Sequence, residues 1–196
     1  VLKGVLTHAG SSYDLDTPEA LQALAEQERA LCVRAAERLR GAGIACPEVS
    51  IGSTPTAIAA QDLEGVTEVR AGVYVFFDLV MSNVGVCKRE NVALSVLIEV
   101  VGHQTERGWG LGTQRQKTDY GYGAVCDADG NVIEGLIVSG ANQEHGIVSR
   151  RDGAADSSLV ERFPIGTRLR ILPNHACATG AQYPSYVAVT SEGATT

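Results

Sequence analysis

The sequence has no paired-cysteine spacing. Its five cysteines, Cys32, Cys46, Cys87, Cys126 and Cys177, are odd in number and scattered, with no CxxC, which argues against a disulfide framework and suits a reducing compartment. A long apolar run is missing too. The longest, Val92 to Val101, is about half a membrane span and carries Glu99, so it reads as a buried strand rather than a transmembrane helix. The expectation is a cytoplasmic protein with no membrane partner. Positive charge is in deficit, with 16 Lys plus Arg against 23 Asp plus Glu for a net charge of -7, and only 5% of residues are aromatic. With no basic run and no interleaved aromatic stripe to track phosphates, nucleic acid is not expected as a partner. Finally, the first residue is Val1 rather than methionine, and no charged-then-apolar signal accounts for processing, so the chain is expected to begin mid-protein.

What is present is enough apolar sequence to fold. The 196 residues are 44% hydrophobic and 20% charged, sufficient for one sizeable core or for two small domains sharing an interface. Val1 to Thr7 is a short strand-like run that leads into a loop with His8, Gly10, Ser11, Ser12 and Tyr13. Asp16 or Thr17 can cap the following helix, with Pro18 in its first turn and Glu19 favoured by the helix dipole. Leu21, Leu24, Leu31, Cys32, Ala35 and Leu39 recur at helical spacing, and Gly41 and Gly43 end the helix.

Val49 to Gly52 predicts a second strand running into Ser53-Thr54-Pro55-Thr56 and an Ala-rich helical segment, Ala57 to Gln61. Glycine lets a ligand approach the backbone, and the hydroxyls and free amides supply donors, so the turn suits an anion; the same composition also serves simply to cap a helix. Further strands are expected at Val66–Arg70 and Val73–Asp78, completing a strand, helix, strand, turn, helix, strand order typical of parallel α/β folds. After Asp78 the character changes. Val84–Cys87, Val92–Val101, Gly123–Cys126, Val132–Val138 and Thr167–Leu172 read as strands separated by turns such as Asp129-Gly130-Asn131, with no convincing helix among them. The fold class expected is therefore α/β plus all-β, divided as residues 1–78 and 79–196.

Near the end lies Pro173-Asn174-His175-Ala176-Cys177. In an extended segment positions i and i+2 share a side, so His175 and Cys177 are placed to grip one soft metal ion; an accidental pair has the same spacing. Glu144-His145-Gly146 suits either ligand orientation or an ordinary polar turn.

Taken in order, Thr7-His8-Ala9-Gly10-Ser11-Ser12-Tyr13, Gly52-Ser53-Thr54-Pro55-Thr56, Glu68 to Asp78, Glu144-His145-Gly146 and Pro173 to Thr179 resemble the D-serine dehydratase and D-threonine aldolase family, with the alanine racemase type of pyridoxal phosphate fold. The resemblance implies the back half of a (β/α)8 barrel, then a C-terminal β domain that brings a metal pair to the barrel mouth. It implies that Gly52, Ser53 and Thr54 contact the phosphate of pyridoxal 5′-phosphate, that His8, Tyr13 and Tyr74 border the cofactor, and that His175 and Cys177 bind zinc. The chemistry implied is loss of water from a D-3-hydroxy amino acid, D-serine or D-threo-3-hydroxyaspartate. A retro-aldol cleavage of the D-threonine aldolase type, a racemase, and a non-catalytic cofactor- or zinc-binding module are the alternatives. Family members commonly pair as homodimers across their active sites.

The match has two departures. The family's Schiff-base lysine sits on the first barrel strand, and Lys3, Lys88 and Lys117 lie outside any matching motif, so no catalytic residue is assigned in this chain. After Trp109 a further strand is expected where only Gly110 and Leu111 stand. A half-barrel would expose strand edges and an apolar lumen, so a missing N-terminal half-barrel of roughly 150 to 180 residues is expected as a partner segment, in the same polypeptide or a second one.

Overall fold

The computed structural model describes residues 1–102, 117–141 and 145–190, and the backbone of 193–195. Its first part is a three-stranded parallel sheet in the order β1 (Gly4–Leu6), β2 (Glu48–Ile51), β3 (Glu68–Val69), with Val5 paired to Val49 and Ile51 to Val69. Parallel neighbours need a crossover, and α1 (Pro18–Gly41) supplies the first. Thr17 is its cap, accepting from Ala20 N at 3.3 Å. The buried stripe of α1 is Leu21, Ala25, Glu28, Cys32 and Ala36. Leu31 and Ala35, expected on that face, lie on the exposed side, and a carboxylate, Glu28, occupies the face instead. Cys32 and Ala36 pack with Cys46, Val49 and Ile51, closing helix onto sheet.

The second crossover is α2 (Thr54–Ala59). Beyond β3 the structure departs from the expected strand over Val73–Asp78. Val73–Val75 form a 3-10 turn, Val73 buried while Tyr74 and Val75 face outward. A short apolar run fits a strand or a turn equally well by periodicity, and here tertiary packing of Val73 decides. The run expected as strand at Val84–Cys87 instead begins on the last residue of α3 (Leu79–Val84), which Asp78 caps and Gly85 ends with φ +84°.

The remainder is a five-stranded antiparallel sheet in the order β4 (Val96–Glu99), β8 (Arg168–Pro173), β5 (Gly123–Cys126), β6 (Val132–Ala141), β7 (Gly146–Arg150). Val125, Leu136, Val138, Leu169 and Ile171 form its core. The β5–β6 turn is built as the residues suggest: Asp127 Oδ1 accepts from Asp129 N at 3.0 Å and Asn131 N at 2.9 Å, and its bonds to Asn131 are the main cause holding the Asp127 carboxyl below its usual range. Short helices α4 (Ser158–Arg162) and α5 (Ala176–Gly180), where none was expected, and a hairpin of β9 (Ala188–Thr190) and β10 (Gly193–Thr195) complete the described residues. Trp109 to Gln114 and Glu144 lie outside them.

Between the two sheets a third cluster joins Leu21 of α1, Val73, Val80, Met81 and Val84 of the α3 region, Leu94, and Ala176 of α5. It forms the floor on which both halves meet. Among the described residues no helix is long and apolar enough to cross a membrane.

Candidate active site

A cavity of about 450 Å³ opens where the ends of β1, β2 and β3 face α5. His8, Tyr13, Gly52, Ser53, Thr54, His175 and Cys177 all line it, so residues far apart in the chain share one space. Tyr74 is not among the lining residues and is 52% exposed, although its neighbour Val73 lines the cavity. His145 is exposed and also lies outside the lining.

The Gly52–Thr56 turn is built by its own side chains. Ser53 caps α2, and its hydroxyl lies 3.0 Å from that of Thr56 in a reciprocal capping box. The Ser53 hydroxyl also sits 3.1 Å from that of Ser12, which ties the turn to the short helix Gly10–Asp14 carrying Tyr13. Gly52 has φ +127°, and a Cβ there would stand 2.5 Å from the Arg70 carbonyl oxygen, so only glycine lets β2 leave the sheet this closely packed against β3. Arg70 in turn donates to Ser50 Oγ at 2.8 Å and to the Thr7 carbonyl oxygen.

Glu28 holds the turn from beneath. Its carboxylate is buried and accepts from Thr7 Oγ1 at 2.8 Å, Gly52 N at 3.1 Å and Thr56 Oγ1 at 2.9 Å. No motif in the sequence points to this residue. The available signal is a glutamate on the apolar stripe of α1, where a charge survives only if it is paired or hydrogen-bonded.

Thr54 tests whether this end fits a phosphate. The residue is 2% exposed and lines the cavity, yet its Oγ1 has no hydrogen-bond partner. A buried hydroxyl without a partner costs about 1–3 kcal/mol, and a phosphate oxygen in the cavity is the kind of group that would relieve it.

At the other end, His175 is extended, with φ -135° and ψ 107°, but it caps α5, and Cys177 lies in the first turn of that helix. The expected strand geometry is thus replaced by a helix start, which still turns both side chains to the cavity. Both are exposed, the His175 side chain at 54%. One nitrogen and one sulfur are the donors a soft ion such as zinc prefers. Among the described residues no third His, Cys, Asp or Glu joins them in a metal-ligand cluster. Asp78, fully buried, stands behind: its Oδ2 lies 3.4 Å from His175 Nδ1 and accepts from Ala176 N at 2.9 Å, while Oδ1 accepts from Met81 N at 2.9 Å. Its sequence signal is only that of a helix cap.

Tyr13 lies between the two ends. Burial raises its phenol above the usual range, and the negative potential of Cys177 and Asp78 adds to the effect. Lys3 and Lys88 are exposed, and Lys117 lines a separate cavity of about 170 Å³ beside Tyr13 and Asn83. Among the described residues no lysine lines the larger cavity.

The chain matches two family models, "Alanine racemase, N-terminal domain" over residues 1–80 and "Putative serine dehydratase domain" over residues 93–189. It is 66% identical over 204 residues to the D-threo-3-hydroxyaspartate dehydratase of Delftia sp. (strain HT23), an alignment covering 98% of this chain and 54% of that protein. The solved structure of that dehydratase superposes with a TM-score of 0.86 at 65% identity, covering 98% of this chain and 54% of the other. A cysteine-to-alanine mutant of D-threo-3-hydroxyaspartate dehydratase, described as the metal-free form, matches with a TM-score of 0.85 at 65% identity and the same coverage of 98% and 54%. The D-serine dehydratase of Dictyostelium discoideum is 28% identical over 97% of this chain and 51% of its own length. The chain therefore spans about half the length of the curated relatives it matches. Two family models in chain order, over an α/β part followed by an antiparallel β part, place this chain in the family of D-serine and D-threo-3-hydroxyaspartate dehydratases, which are alanine racemase-like, fold-type III pyridoxal phosphate enzymes.

Proposed function

We propose that this chain is the carboxyl-side part of a pyridoxal phosphate- and zinc-dependent lyase that removes water from a D-3-hydroxy amino acid, D-threo-3-hydroxyaspartate or D-serine, the released imine then taking up water to give a keto acid and ammonia. The observation that carries the reading is the cavity, with a buried hydroxyl without a partner at one end, a His/Cys pair at the other, and both facing the same space. The 66% identity to a D-threo-3-hydroxyaspartate dehydratase favours elimination of water over aldol cleavage.

When bound, pyridoxal phosphate supplies an electron sink for negative charge at the substrate α-carbon, and zinc a Lewis acid for the β-hydroxyl. Gly52, Ser53 and Thr54 hold the phosphate, with Glu28 fixing their backbone. His8, whose Nδ1 lies 3.2 Å from the Gly52 carbonyl oxygen, and Tyr13 border the cofactor; Tyr74, outside the lining, is given no contact with it. Tyr13 keeps its proton on Oη across the working pH range, so it serves as a hydrogen-bond donor between the two ends. His175 and Cys177 hold the zinc, leaving its remaining positions to water and substrate oxygens.

The division proposed is residues 1–78 for the barrel part and 79–196 for the β domain. Exposed apolar side chains on the barrel part, Leu6 at 70% and Val69 at 39%, and the outer edges of β1 and β3, unpaired among the described residues, support a covering N-terminal half-barrel, which would also bring the Schiff-base lysine. The complete protein is proposed to be a cytoplasmic homodimer.

The test is turnover by the complete protein. Keto acid release from D-threo-3-hydroxyaspartate or D-serine should stop on chelation and return with zinc. Release that survives the chelator would remove the zinc role, and glycine plus an aldehyde from D-threonine without keto acid would move the reading to aldol cleavage.

A further inference from the structure

We infer that Asp78 is a positioning residue for the metal pair, holding the His175 ring with Nδ1 turned to the interior so that Nε2 is the nitrogen that ligates zinc from the cavity. The inference rests on the proposed reading of His175 and Cys177 as zinc ligands and adds to it which atom binds and what orients it.

A half-exposed imidazole on a loop has several rotamers open to it, and a protein supplying two ligands gains little orientation from the rest of the site. Something must fix the ring. Asp78 is the buried group beside it, 0% exposed, with Oδ2 3.4 Å from Nδ1. The same oxygen takes the Ala176 N–H at 2.9 Å, so the carboxylate grips the backbone between the two ligands as well as facing the ring of the first. The other oxygen caps α3 through Met81 N at 2.9 Å, and Val80 N donates to the Asn174 carbonyl oxygen at 3.3 Å, so the loop carrying the pair is fastened to α3 on both sides of His175.

The backbone reinforces the assignment. Phe77, the residue before Asp78, has φ +51°, the only positive φ at a non-glycine residue among those described. For an L-residue of this size the left-handed region costs about 1–2 kcal/mol, and such strain persists where the surroundings impose it, characteristically at functional sites. Here it turns the chain from the 3-10 segment into α3 with Asp78 at the bend. A carboxylate accepting the distal N–H of a metal-bound histidine fixes both its tautomer and its ring orientation.

Two measurements on the complete protein test this. In zinc competition against a chromophoric chelator, Asp78→Asn and Asp78→Ser should both bind zinc about 10 to 100 times more weakly than the parent, because each still caps α3 but neither offers a carboxylate to Nδ1. The melting temperature of the metal-free variants separates this from general loosening. Unchanged zinc affinity in both would overturn the inference. The second needs no variant: nitrogen-15 NMR of labelled histidine in the zinc-loaded parent should show Nδ1 protonated and Nε2 metal-bound for His175, and the opposite pattern would overturn it. If the parent binds no zinc, the metal reading itself fails and takes the inference with it, an outcome distinct from zinc bound with the wrong nitrogen.

Discussion

At the Gly52–Thr56 end of the cavity the hydroxyl side chains are buried and all but that of Thr54 are hydrogen-bonded, whereas at the His175–Cys177 end both side chains are exposed and one buried carboxylate reaches up to them. Ser12, Ser53, Thr54 and Thr56 are each 3% exposed or less, and Glu28 accepts from three residues, Thr7, Gly52 and Thr56, beneath them. On the proposed reading, the difference follows from what each end would hold. A phosphate is fixed by many weak donors, which must be preorganised when it arrives, while a metal ion orders its own ligands once they are roughly aimed. So the first end should fail as structure and the second as affinity.

The largest effect is expected from Glu28→Ala. It removes the acceptor of three donors at once, two of them buried, and should cost about 3 kcal/mol or more in urea denaturation of the complete protein. A loss below about 1 kcal/mol would mean that the Gly52–Thr56 end is not held from the interior. Gly52→Ala comes next, at about 1–3 kcal/mol, through a left-handed backbone and a clash with the Arg70 carbonyl, with retention of the cofactor on gel filtration falling in parallel. Thr54→Val divides the two quantities. Removing an unpartnered buried hydroxyl should leave cofactor-free stability within about 1 kcal/mol while lowering cofactor affinity about tenfold, read from the visible absorbance band on dilution.

The smallest structural effect belongs to Cys177→Ala, under about 0.5 kcal/mol because the side chain is exposed, although zinc retention after dialysis should disappear. Thiol chemistry sharpens the same contrast. Burial, with the nearby Asp78 charge adding to it, pushes the Cys87 thiol up to about 11, so at pH 8 about one part in a thousand is thiolate. Iodoacetamide should therefore modify Cys177 first, and zinc should protect it. Modification of Cys87 ahead of Cys177, read by peptide mass mapping, would mean that the His175–Cys177 end is not the open one.

Much of the fold is legible in the residues themselves. The Thr17 cap with Pro18 behind it, the β5 and β8 strands within a residue of their observed ends, and the Asp-Gly-Asn turn all follow from local chemistry, which acts over a few residues and leaves its mark there. The Val73–Asp78 segment goes the other way. Its apolar residues suit a strand, but packing of Val73 into the shared core and the left-handed Phe77 make it a turn. The His175–Cys177 pair stands out in the sequence for one geometric reason and reaches the cavity by another, since a helix start rather than an extended strand brings both side chains there.

The sequence alone determined the order of the motifs, the change from alternating α/β to antiparallel β near Asp78, and the two residues with the donors for a soft metal. Only the tertiary structure decided that Asp78 meets His175 and the Ala176 amide, 98 positions along the chain, and that Glu28 serves Thr7, Gly52 and Thr56 together. The reason is physical. Periodicity and capping report forces between neighbours in the chain, whereas a buried carboxylate finds its donors only when distant elements fold over it and exclude the water that would otherwise serve.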